Sequence, residues 1–305
     1  MIKKWFEASR PWAFTASAIP ICVGAAYAWL EGVFHPFLFL LTLIGGILIH
    51  AGTNYINTYG DFKSGVDTVE SAVTCPQLVT GEMQASHMKW VGIACFALAA
   101  LIGLCLTWVV GWPLLVVGIL GIIAGYMYTD GFAYKYLGIG SIAVFFLMGP
   151  LMVWGSYFVQ TGRNNWLVLL VSLPVAFLVS SILHSNDIRD IAHDEGAHIK
   201  TLASIINSDF NYTWYKFLII MAYVSIVVLV AFSVIPLTCL LVLATLPLGL
   251  KQIKHCEQAR EGDLEKRGTL EPTSAQFHFK FGLAYFVTLL LALLAGALGT
   301  LDKWL

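Results

Sequence analysis

Two short acidic stretches hold the residues best placed to do chemistry. The first reads Asn54-Tyr-Ile-Asn57-Thr-Tyr59-Gly-Asp61 and continues past Lys63 and Gly65 to Asp67. Asn54, Asn57 and Asp61 stand at i, i+3 and i+7, which puts them on one face of a helix. Gly60 and Gly65 are expected to turn the chain and bring Asp67 back toward that face. The second stretch reads Asn186-Asp187-Ile-Arg189-Asp190-Ile-Ala-His193-Asp194, and Asp187, Asp190 and Asp194 repeat the same spacing. Asp190 and Asp194 repel on an exposed helix by a few tenths of a kcal/mol. Carboxylates at a helix C-terminus also face the negative end of its dipole. A hard divalent cation reverses both penalties. Mg²⁺ takes one or two carboxylates, keeps several waters and completes its shell with substrate phosphates. Two such clusters on one side therefore suit a Mg²⁺–diphosphate ligand.

The elements that must carry these clusters are membrane helices. Of 305 residues 58% are hydrophobic and 11% charged, against about 25% charged in a soluble domain. The apolar residues come in blocks near the 20 or so needed per helical span. Candidate spans are 11–30, 36–58, 89–110, 112–129, 138–160, 165–184, 213–232, 234–251 and 279–299. The expected fold is an all-α, polytopic membrane bundle of about nine helices, one domain over 1–305, with a central cavity opening to the cytoplasmic side. If the N-terminus is cytoplasmic, every Lys and Arg except Arg163 and Lys303 falls on that side, as the positive-inside rule demands. No cleavable signal peptide is visible, because Met1–Arg10 leads into a stretch long enough to span. The net charge of -1 points to no nucleic acid partner.

Three cytoplasmic loops are long: 59–88, 185–212 and 252–278. The third contains the mixed-charge run KHCEQAREGDLEKRG and reads as a solvated connector. The first two each open with an acidic cluster, one after the second span and one after the sixth. Weak internal repetition of this kind often places a site between two halves of a membrane protein. The six cysteines form no CxxC pair, so neither disulfides nor a zinc site is expected. His193 and His198 lack the spacing of a zinc helix, and His50 reads as hydrogen-bonded packing. Tyr55, Tyr59, Tyr126 and Tyr128 are candidates to shield a cation with their ring faces. Trp5, Trp12, Trp90 and Trp304 read as interfacial anchors.

At these residues the chain resembles the UbiA superfamily of intramembrane prenyltransferases, and within it the branch that acts on 1,4-dihydroxy-2-naphthoate in menaquinone biosynthesis. That family's first motif, N-x-x-N-D-Y-G-D with a following G-x-D, is similar to Asn54, Asn57, Tyr59, Gly60, Asp61, Gly65 and Asp67. Its second, N-N-x-R-D-x-x-x-D with a following T-L, is similar to Asn186, Arg189, Asp190, Asp194, Thr201 and Leu202. SRPWAFTASAIPICVGAAYA, Tyr128-Thr129 and the stretch from Gly155 to Gly162 add to the likeness, which runs over most of 9–205. Thr58, Asp187, Ala192, Ser141, Cys75 and Ile199 depart from the pattern. The last two stand where basic residues are usual, although Lys200 adjoins the second.

The resemblance implies transfer of a prenyl group from an allylic polyprenyl diphosphate to an aromatic acceptor, dihydroxynaphthoate-like in this branch. It implies Mg²⁺ as cofactor, held by Asp61, Asp67, Asp190 and Asp194, all four catalytic, and the i, i+3, i+7 spacing adds Asp187 to the expected metal ligands. Asn54, Asn57, Tyr59, Lys63, Asn186, Arg189 and Lys200 would bind substrate. The enzyme would sit in the inner (cell) membrane, its site facing the cytoplasm, with a lateral opening that leaves the prenyl tail in the lipid bilayer. Two other readings remain open at this point. One is a membrane terpene cyclase of the same superfamily, using the diphosphate without an acceptor. The other is an ion-coupled transporter, disfavoured because transporter sites usually lie near the midplane.

Overall fold

The structure is a computed structural model describing residues 2–69, 72, 75–196, 199–206 and 208–297. Trp304, Lys303 and His198 lie outside the described residues, as does the side chain of His193. Among the described residues there are helices and no strands. In chain order they are α1 (Ile2–Ala8), α2 (Thr15–Leu30, entered by a tight turn at Pro11–Phe14), α3 (Pro36–Lys63), α4 (Ala85–Val110) and α5 (Pro113–Met127). Then come α6 (Gly140–Phe146), α7 (Met152–Thr161), α8 (Leu167–Val171), α9 (Leu173–Gly196) and α10 (Leu202–Ile205). The chain ends in α11 (Ser208–Ala231), α12 (Leu246–Arg260, entered by a narrow helix at Leu237–Thr245) and α13 (Leu264–Ala297).

Seven helical stretches are long and apolar enough to cross a membrane among the described residues. Helix is found at each of the nine expected places. The stretch expected at 112–129 is the shorter apolar α5, and that expected at 165–184 is split between α8 and α9. The count of nine full spans is thus not reached on length and hydropathy. Large apolar side chains such as Trp108, Phe232, Leu101 and Leu294 stand exposed on the outside of the bundle. In water such a surface would aggregate. In a bilayer it is the solvent-matched face, and the closed helical backbone leaves no polar group unpaired there.

Two expectations about the polar segments change. The helices carrying the clusters do not stop at the polar residues: α3 runs to Lys63 and α9 to Gly196. A reading by hydropathy ends a span where the side chains turn polar, but the backbone continues because those side chains point inward. The segment 252–278 is not an open connector. α12 reaches Arg260, the chain reverses around Gly262 (φ 103°), and α13 starts at Leu264. One face of this helical hairpin is solvated along with its tip, while Gln252, Glu271, Ser274 and His278 are buried.

The core is formed by α2, α7, α9, α11 and α13, with Tyr157, Tyr215, Phe281 and Tyr285 wholly enclosed. Its buried hydroxyls are paired, as burial requires: Tyr215 with Ser274 at 2.6 Å, and Tyr285 donating to the Val171 carbonyl at 3.1 Å. Two glycines set how closely these helices approach. A Cβ at Gly24 would collide with the Val153 carbonyl of α7, and one at Gly282 with Ile19 of α2. Small residues of this kind are the usual device for close packing where lipid supplies no hydrophobic drive.

Candidate active site

Helices α3 and α9 bring the two acidic clusters to one cavity of about 490 Å³, within the usual range for ligand pockets. Asn54, Asn57 and Asp61 line it from α3, and Asn186, Asp187, Arg189, Asp190 and Asp194 from α9. Asp67 joins them because Gly65, at φ 76°, turns the chain, and the Val66 and Asp67 amides then donate to the Asp61 carbonyl at 2.9 and 3.1 Å. Gly60 plays a different part from the one expected. It is helical, and a Cβ there would lie 2.7 Å from the Thr129 carbonyl, so its role is close packing rather than a turn.

Asp61 is the most heavily bonded of the carboxylates. Lys135 Nζ donates to its two oxygens at 2.8 and 3.1 Å, Tyr136 Oη at 2.5 Å and Asn57 Nδ2 at 2.9 Å. Lys135 stands on a short turn, Tyr134–Tyr136, entered through Ala133 in the left-handed region (φ 47°) and left through Gly138 (φ 77°). A bridge from Leu137 to Lys200 ties this turn to the chain that follows α9. Burial pulls the Lys135 ammonium down, but Asp61 outweighs it and holds the pKa above the ordinary lysine value. Burial and then the Asp61 charge push the Asp67 carboxyl up to about 6. The site therefore concentrates negative charge that its own cations only partly offset.

On the opposite wall Arg189 grips Asp190 with two bonds of 2.8 Å and also bonds Glu271 of α13. Asn186 donates to the same Glu271 at 3.1 Å, and Ser141 to Asp187 at 3.3 Å. Arg10, left-handed at φ 55°, places its side chain in the cavity wall, where its buried Nε has no protein acceptor. Lys135, Tyr136, Glu271 and Arg10 were not singled out from sequence as site residues. A need for cations beside five carboxylates was the available signal for Lys135, and Arg10 also falls in the SRPWAFTASAIPICVGAAYA stretch that carries the resemblance.

Several expected contacts fall elsewhere. Tyr59, Lys63 and Lys200 do not line the cavity. Lys63 and Lys89 pair with Asp130 at 3.5 and 3.2 Å, and Lys89 stands 4.9 Å over the Tyr59 ring. Positions 59 and 63 lie off the 54–57–61 face, so helical geometry turns them outward. Of the four candidate tyrosines only Tyr128 reaches the cavity, joined there by Tyr134. His50 packs in the wall with Ser17 at 2.7 Å and the Phe14 ring.

Among the described residues no three Asp, Glu, His or Cys side chains converge closely enough to form a metal shell by themselves. The donor set still fits Mg²⁺, which needs hard oxygen ligands and takes only one or two carboxylates when phosphates supply the rest. Beyond this polar end the cavity is walled by apolar residues of α3, α4, α5 and α7, including Ile49, Leu104, Ile119 and Val159. One end thus suits an anion with its cation, and the remainder suits a hydrocarbon.

Membrane helices enclosing an apolar cavity with a doubly acidic mouth suit an intramembrane enzyme whose substrate joins an anion to a hydrocarbon. The UbiA prenyltransferase family profile matches residues 17–270, and the chain belongs to that family. Mouse UbiA prenyltransferase domain-containing protein 1 is 30% identical over 289 residues, covering 93% of this chain and 83% of that protein. The 1,4-dihydroxy-2-naphthoate octaprenyltransferase of Bacillus subtilis (strain 168) is 34% identical over 202 residues, 66% of this chain and 65% of that one. A UbiA homologue from Archaeoglobus fulgidus, solved with GPP and Mg²⁺, shares the fold at a TM-score of 0.57 and 16% identity, covering 93% of this chain and 99% of that one.

Proposed function

We propose that this prenyltransferase moves a polyprenyl group from an allylic polyprenyl diphosphate to 1,4-dihydroxy-2-naphthoate, with Mg²⁺ as cofactor and the site at the cytoplasmic face. The observation that carries this reading is the single cavity with acidic clusters from α3 and α9 at one end and a hydrocarbon lining at the other. The likeness to the Bacillus dihydroxynaphthoate enzyme favours that acceptor.

Asp61 and Asp67 on one side and Asp187, Asp190 and Asp194 on the other would hold the cation against the diphosphate. Bound there, Mg²⁺ supplies Lewis-acid stabilisation of charge on the departing diphosphate. Arg10, with its unpaired Nε, and Arg189, which lines the same cavity, would donate charge-assisted hydrogen bonds to phosphate oxygens. Lys135 holds Asp61 in place and keeps positive charge near the leaving group. Breaking the allylic C–O bond leaves a carbocation, faced by the Tyr128 and Tyr134 rings in the cavity wall. The apolar wall keeps water from quenching it. The electron-rich naphthoate ring attacks the cation at the carbon bearing the carboxylate, which leaves as CO₂ as the ring regains aromaticity.

The test is product analysis by mass spectrometry on the purified chain in lipid nanodiscs with Mg²⁺, farnesyl diphosphate and dihydroxynaphthoate. A prenylated, decarboxylated naphthalenediol is expected. A cyclised hydrocarbon formed without acceptor would establish the terpene cyclase instead, and intact substrates in both arms would refute transfer.

A further inference from the structure

The cavity continues far beyond its acidic mouth, and its glycines show where it leads. Thr42, near the start of α3, still lines it. At 1.5 Å per residue Thr42 stands about 28 Å from Asp61 along that helix. The far end is stopped by Leu106, Leu114 and Val159, all buried. A chain entering from the mouth cannot continue past them and must turn aside.

The wall between α4 and α5 is the one that lets it. Leu104, Leu115 and Ile119 line the cavity and are 53%, 36% and 47% exposed. Gly103 of α4 and Gly118 of α5 line the same wall, and a Cβ at either would meet nothing within 4 Å. The two lie at matching depth, since each is seven or eight residues from Gly111 in the turn joining the helices. Nearer the mouth, a second apolar groove between the same two helices, lined by Ile93, Phe96, Ala97, Ile123 and others, shares Ala100 and Ile122 with the cavity. The contrast with Gly24 and Gly282 is physical. Those glycines let helices touch, whereas Gly103 and Gly118 keep space empty.

We propose that the α4–α5 seam is the route by which a long prenyl tail leaves the cavity for the bilayer, with Gly103 and Gly118 as the residues that set the tail length accepted. This rests on the prenyl diphosphate reading above and adds a length threshold to it. Ile102 packs beside Gly45 of α3, and Gly121 beside Ile49. Gly45 is 16 residues from Asp61, which puts the Gly103 level about 24 Å from the acidic end. Ile49 is 12 residues from Asp61, and Gly118 lies nearly one turn beyond Gly121, giving about 22 Å by the second helix. An isoprene unit adds four chain bonds of about 1.5 Å each, or about 5 Å of extended length. Tails of three units stop short of the seam, and tails of more than five pass through it.

The experiment measures dissociation constants of farnesyl diphosphate and octaprenyl diphosphate, with Mg²⁺, on the full chain in nanodiscs. The variants are Gly103→Leu, Gly118→Leu, their combination, the milder Gly103→Ala and Gly118→Ala, and Gly296→Leu as a control in open space on α13. Two leucines in the passage should weaken octaprenyl diphosphate by about tenfold or more relative to farnesyl diphosphate. The alanine variants should fall between, and the Gly296→Leu ratio should equal that of the parent. Equal weakening of both ligands, or no change in their ratio, would overturn the route while leaving the prenyl diphosphate site standing. Failure of the unsubstituted chain to bind either ligand would remove the function and the route together.

Discussion

Replacing Lys135 with methionine keeps the stem and deletes the charge, and the structure sets what that should cost. The Lys135 and Asp61 side chains are 13% and 5% exposed and 2.8 Å apart. At an effective dielectric constant of about 20 their gross attraction is about 6 kcal/mol. Desolvation offsets part of this, and removing one partner of a buried pair typically costs about 3–5 kcal/mol. Asp61 keeps its bonds from Tyr136 and Asn57, so the lower end, about 3 kcal/mol, is expected for Lys135→Met without divalent cation. At about 2–4 °C per kcal/mol, that is a fall of about 6–12 °C in melting temperature. The assay is thermal unfolding in detergent with EDTA, followed by tryptophan fluorescence, on Lys135→Met, Asp61→Asn and the double variant. Removing both charges leaves no orphan, so the double variant should lose clearly less than the two singles combined. Strict additivity, or a Lys135→Met variant as stable as the parent, would refute the pairing.

Other consequences are open to direct test. Chelation by EDTA should abolish turnover, with Mg²⁺ or Mn²⁺ restoring it and Na⁺ failing to; full turnover in excess chelator would contradict the role given to the carboxylates. Glu271→Gln should raise the KM for prenyl diphosphate about tenfold, because Arg189 loses the charge that aims it. An unchanged KM would show that Glu271 matters only for packing. In a cysteine-free background, cysteines at Glu82 and Lys200 should react with an impermeant maleimide from the cytoplasmic side only, as the Lys and Arg asymmetry requires. Labelling from opposite faces would end the shared-site idea.

What was legible in the sequence was local. The i, i+3, i+7 spacing of Asn54, Asn57 and Asp61, and of Asp187, Asp190 and Asp194, describes residues that do line one cavity wall each. The Gly65 turn is likewise a property of a few adjacent residues. What was hidden was long-range. Lys135 meets Asp61 across 74 positions, and Glu271 meets Arg189 across 82. Glu271 also follows a run whose charges look solvated, and only the start of α13 at Leu264 turns it inward. Tyr59 was assigned to substrate by its motif and Lys63 by its charge, yet their angular position on α3 turns them to Lys89 and Asp130. The count of nine spans is not reached by length at α5 and at α8–α9 for a related reason: hydropathy does not show where a helix is short or interrupted.

The most direct test of one ligand held between the two clusters is a kinetic cycle on Asp61→Asn and Asp190→Asn. Each variant should first be shown monodisperse and folded, and kcat/KM then measured with prenyl diphosphate, acceptor and Mg²⁺. Each single substitution should cost about 100-fold or more, and the double variant little beyond the worse single, because groups acting as a unit are strongly non-additive. A double loss equal to the product of the single losses would mean that the clusters act independently, and that no single Mg²⁺–diphosphate bridges them.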